Sequence, residues 1–140
     1  IGSRLCSNYG KIVAKQFAYN ISKHNINIVS GLAKGIDTCA HIGAIEAGKP
    51  TIAVIGTGLD IIYPEENRKI YQDIVKTNGT IITEYVVGTK PDKMNFPARN
   101  RIISGLSAGV LVVEASKKSG TFITTDFALE QGKNIYAIPR

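Results

Sequence analysis

The 140-residue chain is predicted to fold as an α/β protein, a three-layer Rossmann-like, doubly wound and mostly parallel sheet of about six strands. Three observations predict this. Short Val- and Ile-rich runs recur without polar alternation, as strands buried on both faces require. Stretches with helical spacing separate them, and Gly, Ser, Glu or Pro stands at the junctions. Ile1, directly before Gly2-Ser3-Arg4, reads as the last residue of a first strand whose beginning precedes the sequence. A first helix is predicted over residues 7–25, where Val13, Phe17 and Ile21 repeat at four-residue intervals behind Ser7 as N-cap. Residues 27–30 (NIVS) form a strand, and residues 36–47 a helix closed by Gly48. Residues 51–55 (TIAVI) form a strand, and Pro64-Glu65-Glu66 starts a third helix with proline and acids where the helix dipole favours them. Gly79 follows that helix, and residues 80–83 (TIIT) form the next strand. A helix near residues 99–106, a strand at 109–113 (GVLVV), a helix at 121–131 before Gly132 and a strand at 134–137 (NIYA) complete the set. Neither repeat nor linker interrupts residues 1–140, so the sequence reads as a single domain inside a longer protein.

Composition narrows the function. Hydrophobic residues make up 44% and charged residues 20%, which excludes intrinsic disorder. No uninterrupted run approaches the ~18 apolar residues of a membrane span, and IGSRLCSNYG lacks a signal-peptide layout. Cys6 and Cys39 make no CxxC and no metal pattern with His24 and His41, so a reduced cytoplasmic compartment with neither metal nor cofactor is expected. Seventeen Lys and Arg against eleven Asp and Glu give +6, which suits an anionic partner without demanding one.

Ligands of open α/β sheets bind beyond the carboxyl ends of the strands, where strand order reverses. With the common order 3-2-1-4-5-6, the reversal falls between the first and fourth strands. That order brings Arg4 beside the long loop at residues 85–98.

Within residues 90–101, Lys90, Lys93, Arg99 and Arg101 face one acid, Asp92, and Phe96 sits between Asn95 and Pro97. A base stacked on Phe96 with cations on the phosphates is the combination single-stranded nucleic acid needs. The plainer reading makes Phe96 a core plug and the arginines solvated residues of a helix start. Ser30-Gly-Leu-Ala-Lys-Gly-Ile-Asp37 joins a strand to a helix, and Gly31, Lys34 and Gly35 are candidates to bind a phosphate at free helix-start N–H groups. The alternative is a tight βα turn capped by Asp37. Ser119, Gly120 and Thr121 offer the same choice before the last helix. Gly56-Thr-Gly58 follows a strand, but Ile61 stands where a dinucleotide fingerprint needs its third glycine, which argues against NAD or FAD. His41 reads as a packed histidine, and Glu84 and Glu114 as strand-end acids that orient loops. No catalytic constellation emerges.

Taken together, these motifs resemble the DNA-processing protein A (DprA/Smf) family over essentially the whole chain. The resemblance rests on Gly2-Ser3-Arg4, Ser30 to Asp37, Ala40-His-Ile-Gly-Ala44, Ile55 to Asp60 with Tyr63-Pro64, Phe96-Pro-Ala-Arg-Asn-Arg-Ile-Ile-Ser-Gly-Leu-Ser107, Val112 to Ala115, Ser119 to Thr124 and Ala137-Ile-Pro139. It implies a non-catalytic cytoplasmic homodimer that protects incoming single-stranded DNA during natural transformation and loads RecA recombinase. Carried over by position, it implies a DNA site of Gly2, Ser3, Arg4, Lys93 and Phe96, with Arg99, Asn100 and Arg101 supporting the same pocket or touching phosphates. It places dimer contacts toward residues 125–137. Members of that family often carry a helical domain before this core and a winged-helix domain after it; both are absent from this sequence, and Arg140 stands where glycine is common. Two other readings compete: a phosphoribohydrolase-like enzyme, for which Lys118 to Thr121 offers too few glycines, and a small-nucleotide sensor using the loops at residues 31–35 and 119–121.

Overall fold

Helix α1 (Asn8–Lys23) starts where Ser7 supplies a cap, its Oγ accepting the Gly10 amide at 3.0 Å. The same hydroxyl donates to Glu114 Oε2 at 2.6 Å, and the Ser7 amide donates to Glu114 Oε1 at 2.9 Å. A carboxylate is thereby held at the positive end of α1, on a residue more than one hundred positions away. These features belong to a computed structural model that describes residues 1–139; Arg140 lies outside the described residues.

Strands β1 (Ile28–Ser30), β2 (Thr51–Val54) and β3 (Thr80–Ile82) pair in parallel in the order β1-β2-β3. Their register sets Ile28 beside Thr51 and Ile52 beside Thr80. Helix α2 (Ile36–Glu46) joins β1 to β2, and α3 (Arg68–Lys76), entered through a 3₁₀ turn at Glu65–Asn67, joins β2 to β3. Gly43 lets α2 lie directly on α1, because a Cβ there would stand 2.4 Å from the Lys15 carbonyl oxygen. Helix α4 (Asn95–Gly105) leads from β3 to β4 (Gly109–Val112), and α5 (Thr121–Glu130) leads to β5 (Asn134–Ala137). Strands β4 and β5 form a second parallel pair. Gly2 bridges to Glu114 in parallel, and Val113 N donates to Ile1 O at 3.0 Å, so the chain's first residues run alongside the end of β4. An apolar groove of about 510 Å³ separates the two sheets, walled by Ile28 and Val29 on one side and Val110 and Leu111 on the other.

Among the described residues, five named strands and the Gly2 bridge stand where six strands were predicted, while the α/β class and parallel direction are as expected. The order differs. The fourth predicted strand, β3, lies against β2, and β4, the fifth, is the neighbour of Ile1–Gly2. Moving outward from β1 to β3 keeps successive right-handed crossovers on one face, with α1 against α2 and α2 against α3. The chain must then return from the β3 edge to reach β4. Helix α4 makes that return, and α4 and α5 pack together as a separate layer.

Leu32, Ala53, Ile55 and Ile74 form the buried core between β2, α2 and α3, with Ile45, Ile70, Tyr71 and Ile81 around them. Each large aliphatic side chain buried there contributes roughly 1.5–3 kcal/mol. Leu32 sits at φ +56°, a left-handed conformation that a non-glycine residue adopts only when its surroundings fix it. They do so from both sides. Its N–H donates to His41 Nε2 at 3.3 Å, and its carbonyl accepts from Asn67 Nδ2 at 2.8 Å. Thr51 Oγ1 spends its proton on the Ile28 carbonyl, so it accepts from His41 Nδ1, 2.9 Å away. His41 is thus neutral, with its proton on Nδ1, and burial pulls its pKa down to about 4.

Candidate nucleic-acid interface

Gly2, Ser3 and Arg4 carry the first strand over its carboxyl end and turn it outward. Ser3 N continues the pairing by donating to Glu114 O at 2.8 Å, and Ser3 Oγ accepts the Ser116 amide at 3.1 Å. A Cβ on Gly2 would lie 2.5 Å from Ile36 Cγ1. Gly35, at φ +81°, is equally constrained, since a Cβ there would meet the Ser3 and Arg4 carbonyl oxygens at 2.4 and 2.5 Å. Both glycines therefore serve close packing of the Ser3-Arg4 turn on the start of α2. The Arg4 side chain is left exposed at the surface.

Helix α4 begins at Asn95, four residues earlier than the sequence predicts, so Phe96 lies in its first turn and not in a loop. Pro97 is accommodated because the first turn of a helix has no intrahelical acceptors for its amides. The returning helix lays Phe96 over the ends of β1 and β2. A Cβ on Gly56 would stand 2.9 Å from the Phe96 ring, and Asn95 Nδ2 donates to Gly56 O at 3.3 Å. Three groups surround the ring. The Arg4 guanidinium carbon is 5.6 Å from its centroid, that of Arg99 is 5.5 Å away, and the Tyr63 ring stacks at 5.3 Å with 29° between the planes. Both guanidinium distances are within cation–π reach.

The two arginines differ in kind. Arg99 is 4% exposed, and its Nη1 donates to the Gly31 carbonyl at 2.8 Å and the Val54 carbonyl at 2.7 Å. Its Nε donates to Asn100 Oδ1 at 2.9 Å. Burial pushes this guanidinium below its ordinary pKa, with Asp37 opposing the shift. Arg99 is a strut that fastens α4 to the ends of two strands and backs Phe96.

A cavity of about 390 Å³ opens beside Phe96, within the range of small-ligand sites. Gly2, Ser3 and Arg4 line one wall, Phe96, Arg99 and Asn100 another, and Lys118, Ser119, Gly120 and Thr121 a third. Sequence reasoning assigned the first two groups to DNA and the last three residues to a phosphate; the structure brings all of them to one cavity. Thr121 N donates to Ser119 Oγ at 3.2 Å, and Ser119 Oγ lies 2.6 Å from Thr121 Oγ1. Lys118, not named as a site residue from the sequence, adds an exposed cation there.

Other predicted residues lie elsewhere. Lys93 is exposed and lines none of the cavities described here. Arg101 also lines none of these cavities and pairs with Glu84. Three of the N–H groups at residues 31–36 are in use: Gly31 N donates to Asp37 Oδ2 at 3.1 Å, Leu32 N to His41, and Ile36 N to Ser3 O at 3.3 Å. Lys34 remains exposed at this turn, 3.3 Å from Glu66. Tyr63 was missed; its signal is an aromatic residue, next to a proline, in the loop after β2 at the same carboxyl edge.

The sequence model of the DNA recombination-mediator protein A family matches residues 1–140. The chain belongs to that family. DNA processing protein DprA of Streptococcus pneumoniae is 48% identical over 139 residues, covering 99% of this chain and 49% of the relative. The crystal structure of that S. pneumoniae protein superposes with a TM-score of 0.91 at 45% identity, over 100% of this chain and 49% of the other. DNA processing protein A from Helicobacter pylori, described for its single-stranded DNA binding mode, gives a TM-score of 0.92 at 35% identity, over 100% of this chain and 63% of the other. This family core thus spans about half the length of the curated DprA relative from S. pneumoniae.

Proposed function

We propose that this chain binds single-stranded DNA without catalysis, at the cavity between the Ser3-Arg4 turn, the start of α4 and the start of α5. The observation that carries the reading is an aromatic ring lining a cavity beside an exposed guanidinium, with a further cation and two hydroxyls on the cavity's far wall. An unpaired base can leave its stack and lie against Phe96, while Arg4, Lys118 and the Ser119–Thr121 turn meet the phosphates. A paired base cannot. The H. pylori relative's binding mode supports the same class of ligand. Lys93, exposed near the helix start, would neutralise a phosphate outside the cavity.

This family core would protect incoming single strands in the cytoplasm during natural transformation and pass them to RecA recombinase. A homodimer is supported by the exposed apolar side chains of Leu129 on α5 and Tyr136 on β5, both within the C-terminal part of the chain. Among the described residues, no helix is long and apolar enough to cross a membrane.

Fluorescence anisotropy with a labelled oligothymidylate tests the reading. Arg4→Ala should weaken binding about tenfold or more, since hydrogen bonds to charged groups contribute roughly 1.5–3 kcal/mol. It should also flatten the plot of log affinity against log salt by about 0.7, the value of one phosphate contact on a single strand. Unchanged affinity and slope would remove the site.

A further inference from the structure

We infer that Tyr63 and Lys34 form a second nucleotide subsite on the other side of Arg4 and Phe96, so that two neighbouring bases are held at once. The inference rests on the single-stranded DNA reading above and adds to it a footprint and two residues. A smaller cavity of about 160 Å³ lies there, bounded by Lys34, Tyr63, Pro64 and Gly31. Arg4, Ala33, Phe96 and Arg99 line both cavities, so the two are compartments on either side of one partition.

Its composition repeats the larger one. Tyr63 stands 45% exposed and stacks on Phe96, so one of its faces backs the first ring while the rest of the side chain meets solvent. A half-exposed aromatic ring gains contact area when a base covers it. It is also held in place for that purpose, since the following Pro64 is buried. The cation is Lys34. Its partner Glu66 is 3.3 Å away, but both side chains are roughly 60% exposed (59% and 66%), and an ion pair so solvated contributes little. The ammonium is therefore readily transferred to a phosphate. A phosphate linking the two bases would lie between Arg4, which both cavities share, and Lys34, which only the smaller one has. On this arrangement Phe96 is the central shelf, with Arg4 above the step between nucleotides.

The test compares a thymidine mononucleotide, a dithymidine dinucleotide with a 5′ phosphate and a longer oligothymidylate, titrated into the 140-residue chain by NMR or anisotropy. Tyr63→Ala should lower dinucleotide and oligonucleotide affinity by about 5- to 100-fold, the effect expected from losing one stacked base, and lower mononucleotide affinity by a clearly smaller factor, because a single nucleotide still has the larger cavity. Tyr63→Phe should restore it, because the stacking face is kept. Lys34→Ala should reduce the salt slope of oligonucleotide binding by about 0.7. If Tyr63→Ala weakens mono- and dinucleotide equally, Tyr63 only props Phe96 and the second subsite is wrong. It is also wrong if Arg4→Ala weakens the oligonucleotide while Tyr63→Ala and Lys34→Ala do nothing; the larger cavity then stands alone. Loss of effect in Arg4→Ala as well would overturn the parent reading.

Discussion

Replacing Arg99 by alanine separates two roles that sequence alone assigns to the same kind of residue. The substitution deletes three hydrogen bonds from a buried guanidinium, one to Asn100 Oδ1 and two to the buried carbonyls of Gly31 and Val54 at 2.8 and 2.7 Å. It leaves both carbonyls near the ends of β1 and β2 without that donor. Orphaning a buried acceptor costs about 1–3 kcal/mol, so the two together with the lost packing amount to roughly 3–5 kcal/mol. For a domain of this size, each kcal/mol shifts the melting temperature by ~3–5 °C, so the expected fall is on the order of 10–20 °C. Arg4→Ala removes an exposed side chain and should change the melting temperature by no more than about 2 °C, in line with surface substitutions. Circular dichroism melts and urea titrations of the two variants, run beside DNA-binding assays, give a clean contrast. Arg99→Ala should lose stability, and DNA affinity only as a consequence of it; Arg4→Ala should lose affinity alone. A variant at Arg99 that melts like the parent but fails to bind would show that this guanidinium contacts the ligand, and the strut assignment would be wrong.

Two further predictions concern the turns that hold the site. His41 has a folded pKa of about 4 against an ordinary 6.5, so the unfolded chain binds its proton first on acidification. Its contribution is fully present above about pH 6.5 and is lost progressively down to about pH 4, with a total on the order of 3 kcal/mol. His41→Gln should therefore be much less stable than the parent in urea at pH 7.5, and the gap should narrow at pH 4.5; a pH-independent gap would contradict the neutral, doubly bonded imidazole. Gly35→Ala should cost at least ~2 kcal/mol and weaken oligonucleotide binding, because the new Cβ would press on the Ser3 and Arg4 carbonyls from a backbone at φ +81°. Retained stability in thermal unfolding would show that the turn has room to shift.

Local architecture was legible in residue spacing. The four strands with complete predicted ranges near residues 27, 51, 80 and 109 lie within one or two residues of their observed bounds, and the last matches at Asn134–Ala137. Ser7 caps α1, and Gly48 and Gly132 adopt the positive φ expected after helices. These outcomes depend on neighbours a few residues apart, and spacing records them directly. At the end of α3 the left-handed residue is Asn78 (φ +60°), while Gly79 is needed because a Cβ would sit 2.6 Å from the Thr51 carbonyl. That second requirement comes from another strand and cannot be read locally.

Which strand lies next to which, and with it the character of the site, depends on long-range packing. Parallel strands have interchangeable patterns, so composition does not state that β3 joins β2 or that β4 joins the Gly2 end. Arg4 meets Phe96, as the sequence suggested, but because α4 crosses back over the sheet and not because the first and fourth strands are neighbours. Arg99 changed meaning for the same reason: the carbonyls it binds are 68 and 45 residues away in sequence. A charged residue in a basic stretch looks the same whether it will face water or two orphaned strand ends. Only packing removes the water, and removing it turns one arginine into a structural member while the other stays free to bind.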